Sequence, residues 1–236
     1  MNPLMKFESP PSLKEMALQA LRNALLTNQF QPKKIYRIDE IARSFGVSKT
    51  PVREALLDLA TQGFLTFLPR RGIQINSLDE RDIRDLYRFR IVMETAIIRC
   101  IAPTITEVSI TQAEAINNAS KGCLENDDKI GFLRKDREFH LFFAELTENK
   151  YLVSALENIR DLIDWMGAKA LLRKERMMEV FVEHDKLIQM LKKRVNEKEA
   201  MVLMERHIII TMDNVLNRLA SNSKDSHTRE YNNGKK

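Results

Sequence analysis

The sequence predicts a mostly α protein, an N-terminal winged helix-turn-helix followed by a C-terminal all-α antiparallel helical bundle. Residues 38–56, IDEIARSFGVSKTPVREAL, read as a short helix, a glycine turn and a second helix that opens on polar and basic residues. Residues 64–75 read as a small β-hairpin with Arg70 and Arg71 at its tip. Beyond Pro103 there is no further proline and only four glycines remain, so the rest of the chain reads as helix upon helix.

Residues 1–11 read as a loose arm. Leu13 to Leu26 carries Leu18, Leu21 and Leu25 on one face, a first helix that packs under the helix-turn-helix. Asn28–Arg37, which contains Pro32, reads as a connector. Ile38, Ile41 and Ala42 give the next helix an apolar face that Phe45 closes, and Gly46 stands where the chain turns sharply. Ser48 is a candidate N-cap, and Pro51 falls in the first helical turn, where its missing N–H costs little. Val52, Ala55, Leu56 and Leu59 repeat at helical spacing and face inward. Ser48, Lys49, Thr50 and Arg53 then face out from the helix start, the end that meets base edges in helix-turn-helix proteins. Gly63 ends this helix, and a basic-tipped wing such as 64–75 reaches phosphates or the minor groove.

The charge is divided in the same way. Residues 1–77 hold 11 Lys/Arg against 6 Asp/Glu, whereas 78–236 hold 27 of each, so the whole net charge of +5 lies in the first segment. A basic module joined to a neutral one suits nucleic-acid binding, where phosphate neutralisation supplies much of the affinity. A chain of 236 residues suffices for two domains, 12–77 and 78–220. No apolar run is long enough to span a membrane, and the first residues carry no secretory signal pattern, so a cytoplasmic protein is expected. Cys100 and Cys123 are isolated and match no metal or disulfide spacing.

Helices are expected near 79–101, 106–125, 129–147, 149–170, 173–194 and 197–220, with 221–236 polar, aperiodic and disordered. Asp136 and His140 are four apart and share one helical face, while His184 and His207 lie in two other helices. In an antiparallel bundle one Asp and three His from three helices can converge on a divalent ion such as Zn²⁺, Ni²⁺ or Mn²⁺. Spacing alone equally allows helical histidines that cap or hydrogen-bond, and this is the commoner arrangement.

Taken together these segments resemble the GntR family of bacterial transcription regulators, in its FCD subgroup. GVSKTPVREAL and the P-R-R-G wing are close to the family's helix-turn-helix and wing. LYRFRIVMETA resembles its R-x-x-x-E signature, with Arg90 and Glu94 in place. DREFH resembles D-x-x-F-H, Asn149 stands at an N-x-x-L position, and Glu183-His184 and His207 match the remaining metal-site histidines. The resemblance spans about residues 12–220. It implies an FCD-like effector and dimerisation domain, a homodimer on a palindromic DNA operator, and a divalent metal on Asp136, His140, His184 and His207. It further implies a small carboxylate effector near that metal, and no enzymatic activity. Two departures stand out. Lys49 replaces an arginine in the recognition helix, and Lys lacks the planar fork that reads guanine bidentately. The loop before the second helix, residues 28–33, lacks the family's glycines.

On this reading Arg53 is the principal DNA contact. Ser48 and Thr50 bond phosphates, Lys49 and Arg43 supply charge, and Arg71 and Gly72 form the wing tip. Arg90 meets an effector carboxylate or pairs with Glu94, and Asn149 lies near the metal or only caps a helix. A metal-dependent enzyme using the Asp-His set and a ligand-independent structural DNA-binding protein are the two alternatives, both ranked below an effector-responsive repressor.

Overall fold

In the computed structural model, which describes residues 10–27, 29–167, 173–194 and 196–233, Ser12 opens the first helix, α1 (Leu13–Leu26). Its side chain accepts from the Glu15 N–H, and Glu15 reaches back to the Ser12 N–H, a reciprocal cap that satisfies two otherwise orphaned donors. The buried face is Ala17, Leu21, Ala24 and Leu25, while Leu18 is half-buried. The small alanines rather than Leu18 share the stripe with Leu21 and Leu25. The chain divides into two units, Met1–Ser77 and Leu78–Lys236.

The first unit continues with β1 (Ile35–Tyr36), α2 (Ile38–Phe45), α3 (Lys49–Thr61), β2 (Leu65–Leu68) and β3 (Gly72–Ile75). Gly46 ends α2 in the left-handed region, φ 67°, and redirects the chain into α3. Val52, Ala55, Leu56 and Leu59 are fully buried, as their spacing predicts. β2 and β3 form the wing, with Phe67 opposite Ile73. β1 is an addition: it pairs antiparallel with β3 to give the order β1-β3-β2, inside what the sequence presents as a connector. Two residues are too few to show a period-2 pattern, so this strand exists through its partner.

β1 also explains Gly72. The residue has φ 118°, and a Cβ there would lie 2.2 Å from the Tyr36 carbonyl oxygen. The approach of β1 therefore requires a glycine at this wing-tip position. Gly72→Ala is therefore expected to cost about 1–3 kcal/mol or more from backbone strain and the clash. Thermal unfolding of the first unit measures it, and an unchanged melting temperature would contradict the assignment.

The second unit consists of α4 (Glu80–Ile101), α5 (Glu107–Glu125), α6 (Lys129–Glu145), α7 (Lys150–Gly167), α8 (Lys174–Lys192) and α9 (Glu197–Asn233). Asp79 caps α4 through a capping box with Asp82, and Thr106 and Asp128 cap α5 and α6. α4 packs along α9, α5 lies against α6 and α8, and α6 against α7. The bundle core runs from Tyr87, Ile97 and Ile98 through Phe139 and Phe143 to Leu156, Leu187 and Ile208. No helix among the described residues is long and apolar enough to cross a membrane. The last helix is expected to end near 220 and runs as far as Asn233, into the stretch expected as a tail. A polar stretch needs no apolar period to extend an established helix, and no Gly or Pro interrupts it before Gly234. The last turn of the helix expected at 149–170 falls outside the described residues.

Candidate metal centre and nucleic-acid interface

Asp136 and His140 project from one face of α6, His184 from α8 and His207 from α9, and all four are buried in the bundle. Each offers one ligand atom, and these atoms lie within 4.8 Å of one another. Asp136 Oδ1 is 3.7 Å from His140 Nε2 and 3.7 Å from His184 Nε2. That is too long for hydrogen bonds. It matches the separation of about 3–3.7 Å that two bonds of about 2.1 Å to a shared ion produce at angles of about 90–120°. His184 Nε2 is buried without any hydrogen-bond partner. An unsatisfied buried imidazole nitrogen costs about 1–3 kcal/mol, and a cation would satisfy it. The residues therefore fit a divalent ion by their donor set and by this orphaned atom.

Carboxylates behind the imidazoles fix their orientation. His140 Nδ1 meets Glu94 of α4, and His207 Nδ1 lies 2.6 Å from Glu183 Oε2 of α8. Each carboxylate accepts the Nδ1 proton, which leaves Nε2 with its lone pair toward the cluster. The Phe139 ring stacks on His184 at 3.9 Å between centroids. Glu183 is in turn held bidentately by Arg176, at 2.9 and 3.1 Å. The Arg176 guanidinium also donates to Thr211 Oγ1 at 3.2 Å.

The electrostatics agree with ligand-ready protonation states. Burial lowers the pKa of His184, and the neighbouring His207 and His140 lower it well below the ordinary range. Burial also lowers that of His207, outweighing the bond to Glu183. Burial opposes the charge of Asp136, but the Arg160 guanidinium and then His140 outweigh it and hold the carboxyl well below the usual range. Glu94 is held down likewise, with burial outweighed by Arg90 and His140. For Glu183 burial yields to hydrogen bonds from His207 and Arg176, which bring the carboxyl to about 2. At neutral pH the carboxylates are therefore ionised and His184 and His207 are neutral, the forms that ligate metals.

Two cations border the cluster. Arg160 of α7 binds Asp136 Oδ2, and its Nε is unpartnered. Arg90 of α4 binds Glu94 and also donates from Nη2 to His140 Nε2 at 3.2 Å. Arg90 thus makes the pair with Glu94 that the sequence allows, and it also borders the cluster. Tyr87, fully buried one turn before Arg90, has an unpartnered hydroxyl, and burial pushes its pKa up to about 12. Asn149 stands just before α7. It is exposed and caps α7, accepting from the Tyr151 and Leu152 N–H groups at 3.0 and 3.3 Å.

In the first unit Ser48, Lys49, Thr50 and Arg53 are exposed along the start of α3. The Ser48 hydroxyl makes no cap bond although its backbone has cap geometry. Arg53 lies over the Phe67 ring of the wing at 5.7 Å. Arg43 is tied back to its own helix, donating to the Asp39 carbonyl at 3.2 Å. A groove of about 380 Å³ between α2, α3 and the wing is lined by Arg37, Asp39, Arg53, Phe67, Arg70 and Arg71 among others.

Arg37 was not singled out in the sequence, nor were the buried Arg160, Arg176 and Tyr87. Signals existed for two of them. Arg160 shares the stripe of Leu156, Ile159 and Ile163, and Arg176 that of Val180 and His184. A charge on an apolar stripe marks a buried ionic partner.

The profile described as bacterial regulatory proteins, gntR family, matches residues 13–75, and the FCD domain profile matches 85–209. The HTH-type transcriptional regulator YdhC of Bacillus subtilis is 25% identical over 193 residues, covering 81% of this chain and 86% of YdhC. The HTH-type transcriptional repressor RspR of Escherichia coli is 28% identical over 125 residues, 53% of this chain and 55% of RspR. The gluconate operon transcriptional repressor of Bacillus subtilis is 25% identical over 144 residues, 61% of this chain and 59% of the repressor. Among solved structures, E. coli McbR/YncC superposes with TM-score 0.75 at 16% identity, covering 89% of this chain and all of that one (100%). At such identity the likeness concerns the fold.

Proposed function

The chain belongs to the gntR family of bacterial regulatory proteins, with an FCD domain as its second unit, and on that premise we propose an effector-responsive repressor controlled from the Asp136 cluster. At the coarser level it is a DNA-binding transcription regulator and not an enzyme. In the fuller reading it acts in the cytoplasm as a homodimer on a palindromic operator. Asp136, His140, His184 and His207 hold a divalent ion, Zn²⁺, Ni²⁺ or Mn²⁺, and a small carboxylate effector binds beside it.

The observation that carries this reading is the orphaned His184 Nε2 inside a buried Asp-His₃ set whose histidines are oriented by Glu94 and Glu183. A bound ion would supply a positive charge and open coordination positions for a chelating anion. Arg90 then has a defined part. Its Nη2 points at the His140 Nε2 lone pair, 3.2 Å away. Once that lone pair is taken, the guanidinium is released to meet a carboxylate bidentately. Arg90 and Glu94 sit on α4, which starts at Glu80 directly after the DNA-binding unit ends at Ser77. A shift of this continuous helix therefore acts on the chain that enters the DNA unit. Asn149, which caps α7, has no part in this account.

On DNA, Arg53 reads a base edge, and Ser48, Lys49, Thr50, Arg43, Arg71 and the Gly72 backbone approach phosphates. The reading is tested by selecting bound duplexes from a random-sequence pool and measuring the affinity of the winner at fixed salt. An inverted repeat is expected, and Arg53→Ala should weaken binding roughly tenfold to hundredfold, the 1–3 kcal/mol of about one base contact. Recovery of no preferred sequence would overturn the sequence-specific regulator in favour of a structural DNA-binding protein.

A further inference from the structure

α4 presents a second apolar seam on the side opposite its core face. Its buried residues are Ile83, Tyr87, Arg90, Met93, Glu94, Ile97, Ile98 and Ile101. Half a turn away Phe89 is 52% exposed and Val92 65% exposed, values that are high for large apolar side chains in the middle of a helix. Half-buried Ala96 follows on the same stripe. Asp85, Phe89, Val92, Ala96 and Arg99 recur at alternating spacings of four and three, the spacing by which one helix seats against another. The seam is apolar at its middle and oppositely charged at its ends.

That arrangement is self-complementary. Two copies of α4 laid antiparallel about a twofold axis at Val92 bring positions equally far from Val92 opposite each other. Val92 meets the partner's Val92, and Phe89, three residues before the axis, packs between the partner's Thr95 and the partner's Ala96, three and four residues beyond it. Asp85 faces the partner's Arg99, and by symmetry the pair forms twice. Within its own chain Asp85 meets Arg88 at 3.2 Å and Arg81 at 3.9 Å, both in exposed pairs of little energetic weight. A different partner would need a matching charge order of its own, whereas a second copy of this chain supplies it.

We propose that the Asp85–Arg99 face of α4 is the homodimer interface, formed by antiparallel α4–α4 packing centred on Val92. This rests on the dimeric reading above and names the surface that makes it. The same helix carries Arg90 and Glu94 on its inner face, so the dimer seam and the ligand cluster are two sides of one rigid element.

Sedimentation equilibrium of the full chain tests the assignment. The wild type is expected to be a dimer, and Val92→Glu, which places two carboxylates at the axis, should raise the dissociation constant roughly hundredfold. Asp85→Arg or Arg99→Asp alone should raise it roughly tenfold, because each sets like charges opposite each other twice, and the double variant should recover most of the loss. The positions are exposed, so melting temperatures near wild type will show that the fold is retained. A wild-type dimer indifferent to Val92→Glu would overturn the interface and leave the dimer standing. A wild-type monomer at tens of micromolar (roughly, the range where specific dimers persist) would overturn the dimer itself. Single variants that weaken the dimer without rescue in the double would overturn the antiparallel register.

Discussion

His184→Leu is expected to abolish metal binding and to raise the stability of the metal-free protein. The two effects share one cause. His184 Nε2 is buried with no hydrogen-bond partner, so the metal-free fold carries the cost of a desolvated, unsatisfied nitrogen. Leucine removes that nitrogen and keeps an apolar body against Phe139, which stacks on the imidazole at 3.9 Å. A gain of about 1–2 kcal/mol follows from the cost of an unsatisfied buried polar group, less the lost ring contact. Chelator-treated wild type and variant should therefore differ in melting temperature in the variant's favour. Addition of Zn²⁺ should raise only the wild type, because a ligand stabilises the state that binds it. A structural histidine gives the opposite sign: loss of stability on substitution and no response to metal. The trade of stability for a ligand atom is usual at functional sites.

Arg160→Met is the most damaging single substitution expected in the bundle. Arg160 and Asp136 are both buried and bonded to each other. Burial disfavours the Asp136 charge, and the Arg160 guanidinium is the largest of the influences that offset it. Removing one partner of a buried ion pair leaves an uncompensated charge, at a cost of about 3–5 kcal/mol. Urea unfolding of the metal-free protein measures it. Two controls separate this cause from lost packing. Arg160→Met combined with Asp136→Asn should lose clearly less than Arg160→Met alone, since the stranded charge is gone. With a divalent ion bound, the loss should shrink, because the ion sits beside the same carboxylate. Equal losses in all three settings would mean that Arg160 acts by packing alone.

The helix-turn-helix, the wing hairpin and the starts of the bundle helices are legible in the sequence because each is written locally. Gly46, the Val52–Leu59 stripe and the Asp79 and Thr106 caps all depend on neighbours within a few residues. β1 is not legible, because a two-residue strand has no pattern of its own and is defined by Gln74 and Ile73 across the ladder. Gly72 could be recognised as a special position, but its reason, the Tyr36 carbonyl, lies more than thirty residues away in the chain. The four cluster residues are legible as residue types on three helices. Their convergence is a tertiary fact. So are the roles of Glu94 and Arg160, which act through contacts between helices. The cap at Asn149 is also written locally, in two bonds at the start of α7.

The central claim is that the buried cluster governs the DNA-binding unit, and one measurement tests it most directly. Affinity for the selected operator duplex is followed by fluorescence anisotropy at fixed salt, for metal-stripped protein, Zn²⁺-loaded protein, and Zn²⁺-loaded protein with citrate as a chelating carboxylate probe. The account predicts that wild-type affinity changes by roughly 5- to 150-fold among these states, the range of ordinary coupling between two sites, and that His184→Leu binds equally in all of them. Identical wild-type affinity in every state, with the ion demonstrably bound, would contradict it: the Asp-His₃ cluster would then be a structural metal site with no hold on the operator.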